Sequence, residues 1–423
     1  MTLAAMFISY DGLLDPLGGS QILPYLYGIA AHPRPVHILS FEKPDRFAAG
    51  GAAMRAELDR HGITWTPLSF TKGGGKLGKL WDLSRMYATA LALHLRRRFG
   101  IVHCRGYPAM QVGCLLHRLT GVKTLFDMRG LWVDERVDGG LWNRENWRDR
   151  LLYRAYKRVE RHLLRCATYI ISLTERVLPE LQRLAPNMTA PVTVIPCCAD
   201  FEHFNLPPPG ARDAIRDELG VPPDARLIAY LGSLGTWYML DEMFRFFASA
   251  AQRWGNVHML IVTRDWKPEH EAMFSAMGLD ALRDLVHVRP ASRDELPGIL
   301  GAADVMLSFI KPAYSKMASS PTKLAEAFAI GIPTISNAGV GDVDEMTRVL
   351  DAGATIDLSD PEAMEGVVGQ LDVICRKRGS ALRERARKML GLEVAEQAYR
   401  EVYHRLERAN GAPVHGSSPV RQL

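Results

Sequence analysis

The chain has 423 residues, of which 47% are apolar and 23% are charged, and its formal net charge is +5. This composition is typical of a folded globular protein and excludes a chain that is mainly disordered. No apolar run reaches the ~20 residues of a membrane-spanning helix, which excludes a polytopic membrane protein. The N-terminal residues do not have the pattern of a signal peptide. Because no CxxC pair occurs among the six cysteines, we expect free thiols in a reducing cytosol.

Short apolar runs rich in β-branched residues recur along the chain, as expected of parallel strands buried on both faces. The predicted strands are residues 4–10, 36–41, 101–105, 124–128, 169–174 and 192–197 in the first half, and 227–233, 257–263, 286–291, 305–310 and 333–338 in the second. Segments with helical spacing of apolar residues lie between them. This alternation predicts an α/β protein with parallel sheets.

A break in the alternation after residue 200 divides the chain. The segment CCADFEHFNLPPPGARDA contains three prolines and a glycine, which is typical of a linker. We therefore predict an N-terminal domain over 1–200 and a C-terminal domain over 205–391. The polar tail, 410–423, is rich in Pro and Gly and is predicted to be disordered.

Positive charge is concentrated in the first half, where residues 1–204 contain 27 Lys and Arg against 18 Asp and Glu. Much of it lies in Arg144–Arg165, which has eight basic and three acidic residues. Its apolar residues recur at helical spacing: Leu152, Tyr156, Val159 and Leu163. An anionic membrane surface is one interpretation; the alternative is a surface helix with a packed stripe and a solvated basic face. No recognised nucleic-acid-binding fold accompanies the helix, so nucleic acid is not expected as a partner.

A glycine-containing turn follows the first predicted strand of each half. In the first, Gly18 and Gly19 would let the backbone approach a ligand closely. Ser20 is predicted to cap the following helix, whose N-terminal N–H groups favour phosphate. Gly232 and Ser233 begin the corresponding turn of the second half. The alternative for both is an ordinary strand-to-helix turn, and neither has the GxGxxG pattern of a dinucleotide site.

The segment SSPTKLAE predicts a helix start, with Ser320 as the N-cap and Pro321 as the first helical residue. Thr322, Lys323 and Glu326 would then share one face. N–H groups and an ammonium suit a diphosphate, and a carboxylate one turn later suits the two hydroxyls of a ribose. The segment therefore predicts a nucleotide-binding helix. The alternative is a capped helix with a solvated Lys–Glu pair.

Charged residues also follow the strand 124–128. Asp127 and Arg129 lie where burial is costly unless charges are paired or bound. We expect them to face an inter-domain cleft and touch the bound substrate, a loop-closing salt bridge being the alternative. Asp342 and Asp344 form a DxD pair that we interpret as helix capping. No His/Cys cluster has metal-ligand spacing, so no metal is expected.

Taken in order, these blocks resemble family 4 glycosyltransferases of bacterial polysaccharide synthesis. The resemblance runs from Phe7 to Asp342 and is carried by SYDGLLDPLGGSQILPYL, FDMRGLWVDERVDGG, SLT, VIPCCAD, YLGSLGTWYML and SPTKLAEAFAIGIPTISNAGVGD. It implies a GT-B fold of two facing Rossmann-like domains, with a C-terminal helix, about 392–409, that packs back on the first. It implies a UDP- or GDP-linked sugar donor held mainly by the second domain, and retention of configuration without a cofactor or metal.

The resemblance also assigns individual residues. Glu326 matches the second glutamate of the family's paired-glutamate motif, which binds the ribose. Ala318 stands where the first glutamate would contact the donor sugar. The family's Arg–Lys pair for the diphosphate is missing from the turn after the strand 227–233, so Lys323 or Arg264 is expected to supply that charge.

The chemistry of a departing diphosphate favours a same-face attack assisted by the leaving phosphate, since no protein nucleophile is evident. The acceptor is expected to be a glycan or a lipid-linked molecule bound by the first domain. A cytoplasmic location is expected, with possible attachment to the inner face of the plasma membrane. Two alternatives remain: a sugar-nucleotide epimerase of the same architecture, and a nucleotide-sugar-binding scaffold without turnover.

Overall fold

The structure, a computed structural model, describes residues 3–31 and 34–408. The described residues divide into two compact units. Unit 1 comprises Met1–Pro196 with Leu392–Leu423, and unit 2 comprises Cys197–Gly391. The tail predicted to be disordered, 410–423, lies outside the described residues.

Unit 1 is built on a seven-stranded parallel sheet in the order β3-β2-β1-β4-β5-β6-β7. Its strands are β1 (Ala5–Ser9), β2 (Val36–Glu42), β3 (Ile63–Ser69), β4 (Ile101–Arg105), β5 (Lys123–Asp127), β6 (Tyr169–Ser172) and β7 (Val192–Val194). Its helices are α1 (Pro16–Gln21), α2 (Leu23–Ala30), α3 (Pro44–Arg60), α4 (Gly75–Arg97), α5 (Gly106–Thr120), α6 (Trp132–Asp138), α7 (Trp147–Cys166) and α8 (Leu178–Leu184). The order around β1 is that of a Rossmann fold.

Unit 2 is built on a six-stranded parallel sheet in the order β10-β9-β8-β11-β12-β13. Its strands are β8 (Arg226–Leu231), β9 (Val257–Val262), β10 (Val286–Arg289), β11 (Val305–Ser308), β12 (Thr334–Asn337) and β13 (Gly353–Ile356). Its helices are α9 (Ala211–Leu219), α10 (Leu240–Trp254), α11 (Pro268–Ala276), α12 (Leu296–Gly301), α13 (Thr322–Ala329), α14 (Val343–Val349), α15 (Pro361–Gly369), α16 (Leu371–Cys375) and α17 (Ser380–Leu390), with short 3-10 helices at Asp280–Leu285 and Tyr314–Ala318. Each unit thus has the predicted parallel α/β architecture.

The last helix of the described residues, α18 (Leu392–Arg408), belongs to unit 1 and packs against α2. Its inner face buries Tyr399 and Tyr403. The ring of Tyr399 lies 5.3 Å from that of Tyr25, and the Arg34 guanidinium is 2.8 Å from the Glu407 carboxylate. Aromatic packing and this ion pair therefore hold α18 to the rest of unit 1.

Two strands were not predicted, β3 and β13, and each lies at an edge of its sheet. In β3, the buried residues Ile63 and Trp65 alternate with more exposed ones, as in a strand covered on one face. In β13, only Ile356 is fully buried. A search for near-continuous apolar runs therefore overlooks both strands.

The sheet of unit 2 is covered on both faces. On one face, Phe244 and Phe247 of α10 pack with Met259 of β9. On the other, Leu324 and Phe328 anchor α13 in a second apolar cluster. These contacts fix the direction of α13 and hence the place of its polar residues.

None of the helices in the described part of the chain is long and apolar enough to cross a membrane.

Candidate functional site

In unit 2, the turn after β8 meets the start of α13. Gly232 has φ of +133°, a conformation that favours glycine. A Cβ placed on Gly232 would lie 3.2 Å from the Nζ of Lys323. The Tyr230 hydroxyl donates to the carbonyl of Ser233 at 2.5 Å and so holds the turn closed. Two of the predicted donor-binding segments, which are about 90 residues apart in sequence, therefore adjoin in space.

Lys323 is a buried lysine, with only 9% of its surface exposed. No hydrogen-bond acceptor among the described residues reaches its Nζ. The Nζ lies instead over two aromatic rings, 3.8 Å from the centre of Tyr238 and 4.6 Å from that of Tyr230. Burial lowers the pKa of Lys323 to about 7, although nearby Glu326 acts in the opposite direction. A buried, unsatisfied ammonium of this kind is what an anionic ligand would complete.

Glu326 lies one turn further along α13, and its side chain is 12% exposed. Burial raises the pKa of Glu326, and the charges of Arg293, Lys323 and His203 oppose that rise. The guanidinium of Arg293 is 3.9 Å from the Glu326 carboxylate. Arg293 comes from the loop after β10, and sequence analysis provided no signal for it because that loop has no motif.

The start of α13 differs from the prediction. The helix begins at Thr322, and Pro321 occupies the N-cap position, so the assignment of Ser320 as N-cap is wrong. The Ser320 hydroxyl accepts a hydrogen bond from the N–H of Cys197 at 3.0 Å and joins the helix start to the first residue of unit 2. Ala318 is buried in the preceding 3-10 helix.

The remaining residues predicted in unit 2 lie outside the Gly232 turn and the start of α13. Arg264 follows β9 and is exposed, and its guanidinium donates to the carbonyl of Ala291 at 3.0 Å. Asp342 immediately precedes α14, and Asp344 lies in its first turn. The DxD pair is thus located at a helix start, where carboxylates interact favourably with the helix dipole.

In unit 1, the ends of β4 and β5 bring several charges together. The carboxylate of Asp127, 1% exposed, accepts from Arg105 at 3.3 Å and from the hydroxyl of Tyr399 at 3.4 Å. Arg129 and His103 lie 3.7 and 3.8 Å from the same carboxylate. Burial alone would raise the pKa of Asp127, but Arg129, His103 and Arg105 outweigh it and lower that pKa.

This geometry does not support the contact with substrate that was predicted for Asp127. A carboxylate buried among two guanidinium groups and a tyrosine cannot also reach a sugar, so direct contact with substrate is not supported. The salt bridge named as the alternative is present, and it extends into a network that includes Arg105. We therefore expect Asp127 to position Arg129 and the end of β5.

Arg129 is the least buried of the charged residues in this network. Its backbone has φ of +56°, which is uncommon for a residue with a side chain. Its guanidinium donates to the side-chain oxygen of Gln21 at 3.2 Å, and the Tyr25 hydroxyl donates to that oxygen as well. A strained backbone that aims a partly exposed cation is a feature of functional sites.

The first glycine turn serves packing more than ligand approach. A Cβ on Gly18 would lie 2.0 Å from the carbonyl oxygen of Leu13, so only glycine fits there. At Gly19, nothing lies within 4 Å of such a Cβ. The assignment of Ser20 as N-cap is wrong, because Ser20 lies inside α1 and its hydroxyl donates to the carbonyl of Pro16.

Residues 25–198 match the glycosyl transferase 4-like domain family. Among curated relatives, the 2-deoxystreptamine N-acetyl-D-glucosaminyltransferase of Streptomyces fradiae is 23% identical over 60% of this chain and 59% of its own length. The D-inositol 3-phosphate glycosyltransferase of Xylanimonas cellulosilytica is 28% identical over 58% of each. The chain thus spans about three-fifths of the length of these relatives.

Solved structures share the fold over nearly the whole chain. Sucrose-phosphate synthase from Thermosynechococcus elongatus has a TM-score of 0.71 at 18% identity and covers 96% of this chain and 100% of its own. HepE from Anabaena, in complex with UDP and glucose, has a TM-score of 0.68 at 15% identity, covering 95% and 99%. The protein therefore has a GT-B fold. The predicted resemblance to family 4 glycosyltransferases is confirmed, because the segment 25–198 matches the glycosyl transferase 4-like domain family.

We predict that Asp127→Asn destabilises unit 1. Removal of the negative charge leaves two arginines close together without their buried partner, which typically costs about 3–5 kcal/mol. Urea denaturation should show a lower midpoint for this variant. Asp45→Asn, which breaks an exposed ion pair with Lys72, is the matched control and should unfold as the wild type does. A wild-type midpoint for Asp127→Asn would contradict the positioning role.

We predict a distinctive pH dependence for Lys323. Its pKa is about 7 in the folded protein against an ordinary value of 10.5, so the unfolded chain binds the proton more tightly. The resulting loss of stability is fully present below about pH 7 and disappears as the pH rises to about 10.5. Lys323→Met should therefore be more stable than wild type at neutral pH, with the difference shrinking towards about pH 9.5.

Thermal melts at several pH values measure this difference. Lys388→Met, at an exposed position on α17, is the control and should follow the wild-type profile. A constant gap between Lys323→Met and wild type from about pH 6.5 to about pH 9.5 would show that Lys323 is not desolvated.

Proposed function

We propose that the protein is a glycosyltransferase that moves a sugar from a nucleoside-diphosphate sugar to a hydroxyl of a glycan or lipid-linked acceptor, in the synthesis of a cell-surface polysaccharide. The observation that carries this proposal is the buried Lys323, which has no acceptor among the described residues and lies beside the Gly232 turn. A diphosphate would supply the missing acceptors. The Streptomyces and Xylanimonas relatives, which are glycosyltransferases, and the UDP bound to HepE support the same class of ligand.

Unit 2 would hold the donor. In this proposal Lys323 and the backbone around Gly232 and Ser233 contact the diphosphate, with Thr322 at the helix start. Glu326 accepts from the ribose hydroxyls, and the charge of Arg293 opposes the rise in the pKa of Glu326 that burial causes. The base of the nucleotide, uridine or guanosine, is to be identified by binding measurements.

The environment of Lys323 suits a leaving group that gains negative charge. In a desolvated position, an ammonium interacts far more strongly with an anion than it does in water. A bound diphosphate would raise the pKa of Lys323 and hold its proton in place while the glycosidic bond breaks. The lysine is thus expected to contribute more to the transition state than to the ground state.

We further propose that transfer retains the anomeric configuration and requires neither a divalent metal nor a cofactor. Lys323 and N–H groups would supply the charge that a metal supplies elsewhere. Acceptor binding would fall to unit 1, where Arg129 is held by Asp127 and Gln21. The anomeric coupling in the NMR spectrum of the product tests retention, and full activity in EDTA tests metal independence.

A thermal-shift screen of UDP- and GDP-linked sugars tests the donor class. A true donor at a hundredfold excess over its Kd should stabilise the protein by about 2.7 kcal/mol. Product analysis then distinguishes the alternatives. Transfer or slow hydrolysis to free sugar and nucleotide supports a transferase, an epimerised nucleotide sugar indicates an epimerase, and a shift without products indicates a binding scaffold.

We predict opposite kinetic signatures for two neighbouring residues. Glu326→Gln should mainly raise KM, by about tenfold to a hundredfold, because a hydrogen bond to a charged group is worth roughly 1.5–3 kcal/mol. Lys323→Met should mainly lower kcat, because its contact strengthens as the diphosphate departs. Lys388→Met is the control. Near-wild-type KM and kcat for Glu326→Gln would remove the nucleotide assignment of α13.

Contact with an anionic membrane surface is the second part of the proposal. The structure changes which residues support it. The basic segment Arg144–Arg165 forms α7, but its stripe faces inward. Leu163 is buried, and Tyr156 and Val159 are half-buried. The stripe therefore packs within unit 1, as the alternative interpretation predicted, and the basic face of α7 remains outside.

An exposed apolar surface instead lies on α4. Leu77 is 79% exposed and Trp81 is 60% exposed, and with Leu80 they occupy positions i, i+4 and i+3 of one helix face. Lys76 and Lys79 flank them. Exposed apolar side chains among lysines match an anionic bilayer, which accepts the first and attracts the second.

The helices α4 and α7 lie on the same side of unit 1, because α5 packs against both. Leu119 of α5 and the α7 residues Trp147 and Leu151 are exposed as well. We therefore propose that this lipid face, formed by α4, α5 and the basic side of α7, docks on anionic lipid. Such docking would bring a lipid-linked acceptor to unit 1.

We predict that the protein sediments with phosphatidylglycerol vesicles, less with phosphatidylcholine vesicles, and less at high salt. Each basic residue near the surface adds ~1 kcal/mol, and salt screens that attraction. The double variant Leu77→Ser/Trp81→Ser should lower binding at least about tenfold, because each large apolar side chain contributes about 1.5–3 kcal/mol when buried.

Val373→Ser, at an exposed apolar position on α16 of unit 2, is the control and should bind as wild type. Equal binding to neutral vesicles, or no effect of the double variant, would overturn the lipid face without affecting the donor assignment.

A further inference from the structure

Three metal-ligating side chains meet between α5 and α7. Cys114 is on α5, and His162 and Cys166 are on α7. Their ligand atoms all lie within 4.8 Å of one another. His162 and Cys166 are four residues apart and therefore project from the same face of the helix.

The sequence analysis predicted no His/Cys cluster with metal-ligand spacing. In the folded chain, however, three such residues lie together. The His-x-x-x-Cys spacing on α7 supplies only two ligands, and the third is 48 residues away along the chain, at Cys114. Packing of α5 against α7 completes the set. Neither helix alone shows a metal motif.

We propose that Cys114, His162 and Cys166 bind one Zn²⁺ ion, with water as the fourth ligand. Zinc takes thiolate sulfur at about 2.3 Å and imidazole nitrogen at about 2.0–2.1 Å, which places tetrahedral ligands roughly 3.4–3.8 Å apart. The ligand atoms lie within 4.8 Å of one another, so they would need to approach by at most about 1.0–1.4 Å. Two thiolates and an imidazole favour zinc over magnesium or calcium, which prefer oxygen ligands.

The three side chains differ in how deeply they are buried, and this arrangement would let an ion enter from solvent. Cys114 is buried, Cys166 is half-buried and His162 is exposed. The ion would reach the sulfurs past the imidazole, and its remaining coordination position would face water. A closed structural site has four protein ligands, so this three-ligand arrangement leaves one position exchangeable.

The basic surroundings of α7 do not oppose this site. Two thiolates cancel the charge of Zn²⁺, so the loaded site is neutral and the neighbouring Arg161 and Arg165 neither repel nor attract it strongly. Binding releases one proton from each thiol to solvent, so affinity should rise with pH.

A bound ion would cross-link two helices that the lipid face also uses. Near the start of α5, the Tyr107 hydroxyl donates a hydrogen bond of 2.6 Å to the carboxylate of Glu160 on α7. The metal would add a second fixed point about one to two turns further along, at Cys166. Zinc would thus stabilise the position of the basic helix on unit 1 without touching the donor residues of unit 2.

Cobalt titration of the reduced, metal-free full chain tests this site. One equivalent of Co²⁺ should produce thiolate-to-cobalt charge-transfer bands in the near ultraviolet and the visible bands of tetrahedral cobalt, and Zn²⁺ should abolish both. The charge-transfer bands should weaken greatly in Cys166→Ser. Affinity should fall by more than the roughly 10–100-fold that loss of an outer-shell partner costs.

Two further variants make the test decisive. His162→Gln changes an exposed residue, so it should fold even if Cys166→Ser does not, and it should shift the visible bands and weaken cobalt binding. Cys375→Ser removes a thiol from unit 2 and should bind cobalt as the wild type does. Absence of one-to-one binding, unchanged spectra in Cys166→Ser, or a Cys114–Cys166 disulfide in the purified protein would overturn the proposal.

Discussion

Parallel pairing of every strand in both sheets determines where this protein can carry polar side chains. Strands buried on both faces are mainly apolar, and the Asp, Glu, Lys and Arg residues of these strands all lie at strand ends. Parallel strands all end at the same edge of a sheet, and polar residues that follow different strands therefore converge. Arg105 and Asp127 converge in this way in unit 1, as do Gly232 and Arg264 in unit 2.

The two units differ in whether their buried charged residues are paired. In unit 1, the charges pair with each other, because Asp127 lies among Arg105, Arg129 and the Tyr399 hydroxyl. In unit 2, Lys323 is buried against aromatic rings without an acceptor among the described residues. A paired network contributes to stability and positioning, whereas an unpaired buried cation costs stability until an anion arrives. The second arrangement is the one that points to a ligand.

Sequence reasoning succeeded where local pattern and tertiary environment agree. The central strands are continuous apolar runs, and their alternation with helices predicted the two parallel sheets. Sequence reasoning failed where the tertiary environment of a residue outweighs the local sequence pattern. β3 and β13 are edge strands with interrupted apolar runs, and so they were overlooked. Ser20 and Ser320 are good caps by residue type, but one lies inside α1 and the other bonds to Cys197.

The site residues show the same division. Lys323 and Glu326 were found because they belong to one helix start, where spacing in sequence fixes spacing in space. Arg293 was missed, since it reaches Glu326 from a loop that no local rule connects to α13. Asp127 was found, but its burial and its pairing with Arg105 depend on tertiary structure. The sequence therefore did not reveal that it would be buried in a salt bridge. The depth of a charged residue at a strand end depends on neighbours from other strands.

The helix α7 illustrates how a strongly charged element stays attached to a fold. Its stripe is only half covered, and its many basic residues repel one another along the exposed side. Polar contacts supply part of the attachment: Lys157 pairs with Asp134 at 2.9 Å and with Glu160, and Tyr153 donates to Asp134 at 2.8 Å. The buried carboxylates of Asp134 and Glu160 thereby hold α7 to α6 and α5. Anionic lipid on the outer side would relieve the remaining repulsion. Binding of the proposed lipid face to anionic lipid would therefore also stabilise α7 on unit 1.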